Sequence, residues 1–172
     1  MKKDYSIWLV PVYDDCVMLE EIIQHYVTLF GGHIFTPHMT LFSDIHMENE
    51  DIIPFCRGLT VNQTSFSCSV TGIYQEASFF RSFYCGIELT QLLITMKQKA
   101  KSFFSMDDNK VFNPHISLGY GIEDSLQKQQ EIHKQNQFFA GKTIKFDRVA
   151  LVSSSDATPI QDWKITHSFT FL

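Results

Sequence analysis

Two five-residue phrases in this chain share one pattern: Pro37-His38-Met39-Thr40-Leu41 and Pro114-His115-Ile116-Ser117-Leu118. Each runs proline, histidine, apolar residue, hydroxyl residue, leucine. Histidine is the side chain best placed to exchange protons near neutral pH. A strand turns alternate side chains to opposite faces, so His38 and Thr40 point together, as do His115 and Ser117. Met39 and Leu41, with Ile116 and Leu118, then point the other way, into a core. Each phrase therefore presents an imidazole and a hydroxyl on one wall. Two such walls facing each other make an acid–base pair with two hydrogen-bond donors between them, a design suited to attack on a phosphate ester.

Taken alone, either phrase reads as an ordinary strand with a hydrogen-bonded histidine. Two matched phrases at matched places in a repeated plan point to chemistry. The other histidines (His25, His33, His46, His133 and His167) fall on helix surfaces, in loops or on an outward strand position. None has a metal-ligand partner at i+2, i+3 or i+4, so no metal site and no cofactor are expected.

The elements that position the phrases repeat. Tyr5 to Val12 is β-branched and aromatic and predicts a strand. Asp14 or Asp15 then caps a helix with an apolar stripe at Leu19, Ile22, Ile23, Tyr26, Val27 and Phe30, ended by Gly31-Gly32. Pro37 to Ser43 is the first motif strand, Glu48 to Leu59 a weaker helix interrupted by Pro54, and Ser65 to Gln75 a half-buried strand. The second half gives a strand over Ser82 to Leu89, then a helix with Leu92, Leu93, Met96, Ala100, Phe103 and Phe104 on one face. The second motif strand spans Phe112 to Gly121, and Glu123 to Phe138 is a polar surface helix. Strands over Thr143 to Ser153 and Trp163 to Phe171 follow, joined by a polar turn around Asp156 to Asp162.

The two histidines lie 77 positions apart (115 − 38). The same offset maps Tyr5 onto Ser82, Leu19 onto Met96, Ile23 onto Ala100, Tyr26 onto Phe103 and Val27 onto Phe104. The late strands fit with three further residues. This predicts an internal duplication, with lobe-forming halves of approximately 1–78 and 79–172 in one domain, and an approximate twofold axis that brings the motif strands face to face.

Composition narrows the target. The 172 residues are 44% hydrophobic and 19% charged, ordinary for a soluble globular chain, and 14% aromatic. The net charge is −5 and Lys and Arg form no cluster, which argues against a long nucleic acid held by its phosphates. Cys16, Cys56, Cys68 and Cys85 are scattered and read as buried reduced thiols. Neither a signal peptide nor an apolar run of membrane-crossing length is present, so the reading is a cytoplasmic protein without a membrane partner.

The paired phrases resemble the H-x-[ST]-apolar motifs of the two-histidine phosphoesterase superfamily, and the flanks resemble its cyclic phosphodiesterase branch. YSIWLVPV is similar to the branch's first strand, with Trp8 before Pro11. PHISLGY is similar to its second motif, with Tyr120 five residues after the histidine. TPIQDWKI is similar to its tail, with Trp163 leading the last strand. Gly119 departs from the branch, which often has a larger apolar residue there. The resemblance covers essentially the whole chain. It implies an α+β fold that is bilobal and duplicated, with two antiparallel-sheet lobes flanked by helices around a central cleft.

It also implies metal-independent opening of small ribose cyclic phosphates, namely ADP-ribose 1″,2″-cyclic phosphate or nucleoside 2′,3′-cyclic phosphates. His38 and His115 would be catalytic, Thr40 and Ser117 would bind the phosphate, and Tyr120 and Trp8 would contact the substrate. The expected partner is that small molecule, and the expected state a monomer. Two rivals remain: an RNA-end or 2′,5′-oligonucleotide phosphodiesterase, which would need a basic groove, and a non-catalytic nucleotide-binding module.

Overall fold

The computed structural model describes residues 4–106, 111–155 and 157–172. Its elements run β1 (Tyr5–Pro11), α1 (Tyr13–Phe30), β2 (Met39–Ile45), α2 (Asn49–Thr60), β3 (Phe66–Tyr74), β4 (Phe83–Ile87), α3 (Gln91–Phe104), β5 (His115–Gly119), α4 (Leu126–Phe139), β6 (Thr143–Ser153) and β7 (Lys164–Thr170). A 3-10 turn at Ile160–Asp162 precedes β7. The polar turn expected from Asp156 begins on a residue outside those described. The fold is α+β, and its strand pairings are antiparallel.

The pairings carry the internal repeat. β1 lies between β2 and β6, while β4 lies between β5 and β3. β3 also pairs with β6, and β2 with β5, which closes the circuit. Each pairing among β1 to β6 thus maps onto another, or onto itself, when the halves are exchanged, and β7 is an addition on the edge of β6. This refines the expected lobes: the third strand of each half joins the opposite half's leading strand, and all seven strands form one hydrogen-bonded network. Every residue of β1 and β4 is buried. A strand covered this way needs partners on both edges for its backbone groups, and the exchanged third strand supplies one.

The helix faces superimpose over most of their length. Leu19 and Ile23 of α1 are buried, and so are their counterparts Met96 and Ala100 of α3. The match slips by one at the end: Tyr26 is fully buried, whereas Phe103 is 47% exposed and Phe104 takes the buried place. Pro54 does not interrupt α2: it is the sixth of the helix's twelve residues and forgoes the bond its nitrogen would otherwise make to the Glu50 carbonyl. No side chain caps α1. Asp15 instead accepts from the Lys145 backbone N–H at 2.7 Å, tying the helix to β6.

α4 is polar, as its sequence predicts, and is held by polar contacts. Asn136 Oδ1 accepts from the Ile73 backbone N–H at 2.9 Å, and Lys128 Nζ donates to the Ile122 carbonyl at 2.8 Å. The four cysteines are buried and unpaired. No helix among the described residues is long and apolar enough to cross a membrane.

Candidate active site

β2 and β5 meet at one antiparallel pair, Met39 with Ile116. That register sets His38 opposite Ser117 and Thr40 opposite His115. Met39 and Ile116 are fully buried on the other face. The four motif residues therefore form the corners of a rectangle on one face, each histidine beside the other phrase's hydroxyl. Directly opposed residues in such a ladder stand about 5 Å apart, and diagonal ones about 7–8 Å. A tetrahedral phosphate fits between imidazoles so placed.

Each histidine is oriented by the same local device. A residue before proline is driven into extended backbone, which fixes Thr36 and Asn113 ahead of Pro37 and Pro114. His38 Nδ1 lies 2.7 Å from the Thr36 carbonyl, and His115 Nδ1 lies 2.8 Å from that of Asn113. A carbonyl only accepts, so Nδ1 carries the hydrogen in both rings. Nε2 is left to lose or gain a proton towards the cleft.

The walls behind the two rings differ. Trp8, paired with Thr40 across β1 and β2, stacks flat on His38, with centroids 3.5 Å apart and an interplanar angle of 8°. Phe35 and Trp163 approach the same imidazole edge-on, at 6.5 Å and 6.1 Å. Tyr84, paired with Ser117 across β4 and β5, meets His115 edge-on at 5.1 Å. Its hydroxyl donates to Glu76 at 2.8 Å, and Glu76 pairs with Arg81 at 2.6 Å. Trp8 and Tyr84 thus hold matching cross-strand places, one position off the 77-residue offset because β4 shifts register at Phe83/Tyr84, one in an aromatic well and one on a charged wall.

The electrostatics follow from this difference. His38 is buried, with 6% of its surface exposed, and burial pushes its pKa down to about 4. Nearby His115 lowers it further, against the opposing effect of the Thr36 carbonyl. His115 is half-buried and its pKa is also lowered. Burial is again the main cause. The Asn113 carbonyl opposes it, Arg81 lowers the pKa, and Glu76 raises it.

Tyr120 reaches the site by leaving the strand. β5 ends at Gly119, so strand alternation no longer governs the next residue. The Tyr120 ring packs 4.3 Å from Phe35 and 5.7 Å from Trp163, and its hydroxyl is hydrogen-bonded to the Ser117 side chain. Burial raises its pKa. Ile122 packs over the glycine before Tyr120: a Cβ there would stand 2.3 Å from Ile122 Cδ1, so a larger residue would turn that side chain aside. Ser117 Oγ donates to the Phe80 carbonyl at 3.1 Å and must turn to reach a phosphate.

All six residues expected from the sequence are gathered here. Trp8 is 3% exposed and has one ring face against His38, so it braces the imidazole. Sequence reasoning missed Tyr84, Glu76 and Phe35, whose places follow from strand register and loop path. Among the described residues no group of three or more His, Cys, Asp or Glu side chains is gathered for a metal ion.

Residues 3–171 match the family model described as cyclic phosphodiesterase-like protein. The chain belongs to that family. A curated relative, the cyclic phosphodiesterase of Arabidopsis thaliana, is 18% identical over 169 residues, covering 95% of this chain and 93% of its own. The fold is shared with E. coli LigT in complex with 3′-AMP, at a TM-score of 0.62, 14% identity and 98% coverage of both chains. LigT in complex with NADP+ matches at a TM-score of 0.60 and 14% identity, over 99% of this chain and 98% of that one. As a member of the cyclic phosphodiesterase family, the chain is a phosphodiesterase.

Proposed function

We propose that this phosphodiesterase opens small ribose cyclic phosphates to phosphomonoesters with His38 and His115 as its acid–base pair. The observation that supports the reading is the facing register of the two motifs: they pair through Met39 and Ile116, and each Nδ1 is held by a backbone carbonyl, which leaves Nε2 for proton transfer. The E. coli LigT complexes with 3′-AMP, ATP and NADP+ support a small nucleotide as the ligand class.

The division of labour follows from access. Water approaches from the half-buried His115, whose Nε2 takes a proton as the water oxygen attacks phosphorus. The phosphorus–ribose oxygen bond on the opposite side breaks, and His38 Nε2 gives its proton to the departing oxygen. Burial makes the His38 imidazolium a strong acid, and the substrate's negative charge, enclosed beside it, loads the proton. Thr40 and Ser117 hydroxyls donate to the non-bridging oxygens as charge builds there. The imidazolium neutralises part of that charge. All these groups come from one chain, so a monomer is complete.

The test is a phosphorus NMR assay on ADP-ribose 1″,2″-cyclic phosphate and the four nucleoside 2′,3′-cyclic phosphates, in EDTA. A phosphomonoester product that disappears in both His38→Ala and His115→Ala is expected. Product formation by His38→Ala at the parent rate overturns the scheme. A phosphodiester with a p-nitrophenolate leaving group needs no acid, so it should restore turnover to His38→Ala and leave His115→Ala inactive.

A further inference from the structure

Beside the catalytic pair a cavity of about 660 Å³ opens between α1, residues 34–36 and the 3-10 turn. Trp8 and Thr36 both line it, and these are the residues that stack on His38 and hold its Nδ1, so cavity and active site share a wall. Trp163 packs edge-on against Trp8 at 5.7 Å and extends the same wall, with its indole N–H fixed on the Thr158 carbonyl at 3.0 Å. Apolar side chains complete this part of the lining. A volume of this size, with aromatic walls on one side and polar side chains on the other, suits a nucleoside.

The charge of the lining decides which part of a substrate enters. Its charged groups are Glu20 and Glu21 on the exposed face of α1, with Gln24 one turn on, and no Lys, Arg or His is among the lining residues. Two carboxylates repel a phosphate or pyrophosphate. They accept hydrogen bonds from ring N–H and exocyclic amino groups, as carboxylates do from cytosine N4.

We propose that this cavity is a nucleobase subsite that selects bases offering N–H donors and disfavours a substrate whose neighbouring group is a pyrophosphate. The proposal rests on the cyclic phosphodiesterase reading above and names its substrates as nucleoside 2′,3′-cyclic phosphates. In ADP-ribose 1″,2″-cyclic phosphate the ribose that carries the cyclic ester is joined to a pyrophosphate, which the carboxylates would meet first. Guanine is the best-fitting base, because its N1–H and amino group face a carboxylate together. Uracil is the poorest, because its single N3–H lies between two carbonyl oxygens.

The test measures kcat/KM for the four nucleoside 2′,3′-cyclic phosphates and ADP-ribose 1″,2″-cyclic phosphate, using the parent chain and the Glu20→Gln/Glu21→Gln variant. Guanosine should exceed uridine by about tenfold or more, the scale of one well-made base contact. The variant should flatten that ratio and raise turnover of the ADP-ribose substrate relative to uridine. Equal kcat/KM for all four bases in the parent, or an unchanged ratio in the variant, overturns the subsite. Calorimetric binding of nucleoside 3′-monophosphates separates the two proposals. A guanosine preference in binding without turnover of any cyclic phosphate removes the hydrolysis reading and keeps the subsite. Turnover of all four at equal efficiency, with equal binding, removes the subsite and keeps the hydrolysis reading.

Discussion

His38 and His115 occupy equivalent places in a duplicated chain, yet their surroundings have diverged. Both follow a proline, both give Nδ1 to the carbonyl two residues earlier, and both stand beside a hydroxyl from the other phrase. Behind His38 the neighbouring strand supplies Trp8, stacked flat and almost fully buried. Behind His115 it supplies Tyr84, edge-on and tied to the Glu76–Arg81 pair. Duplication set the geometry of the pair, and the flanking strands made its members unequal. A reaction that needs one base and one acid needs that inequality.

The largest effect tests what the two sides share. His38→Ala and His115→Ala should each lower kcat on a nucleoside cyclic phosphate by roughly 10²–10⁴-fold. Loss in one variant alone would mean that the sides do not act together. Next come the hydroxyls. Thr40→Val and Ser117→Ala should each cost at most about 10²–10³-fold in kcat, the scale of one donor to a developing oxyanion. The Ser117 variant also frees Tyr120, so its KM should rise more than that of the Thr40 variant.

Further variants break the asymmetry itself. Trp8→Ala removes the stacked ring and should cost about 3–5 kcal/mol in urea denaturation. Tyr84→Phe removes only a hydroxyl contact and should cost about 1 kcal/mol. Equal losses would contradict the difference between the two walls. The smallest effect is on stability against pH. An unfolded histidine titrates near 6.5 and folded His38 near 4, so the unfolded chain takes up that proton first. Stability from this residue is therefore present above pH 6.5 and is lost as the pH falls towards 4. The thermal midpoint should drop across that window, and less steeply in Trp8→Leu, where His38 is less buried.

Much of this was legible in the chain. The strands and helices follow from period and composition, because each buries one patterned face, and the four motif residues from strand alternation around Met39 and Ile116. The exchange of β3 and β6 was not legible, since no local pattern records which edge a strand will join. Tyr84 stayed hidden for the same reason: it acts through cross-strand register and lies 31 positions from His115 (115 − 84). Tyr120 was ambiguous because alternation turns it away from His115, and the end of β5 at Gly119 changed that. The inequality of the histidines depends on burial by distant residues, which two phrases of one pattern cannot express.

The account turns on that inequality, and NMR titration of the two imidazoles in the free protein measures it directly. His38 should remain neutral until about pH 4, while the less buried His115 titrates below the ordinary histidine value but ahead of His38. Coinciding titrations, or a His38 that protonates before His115, would contradict it.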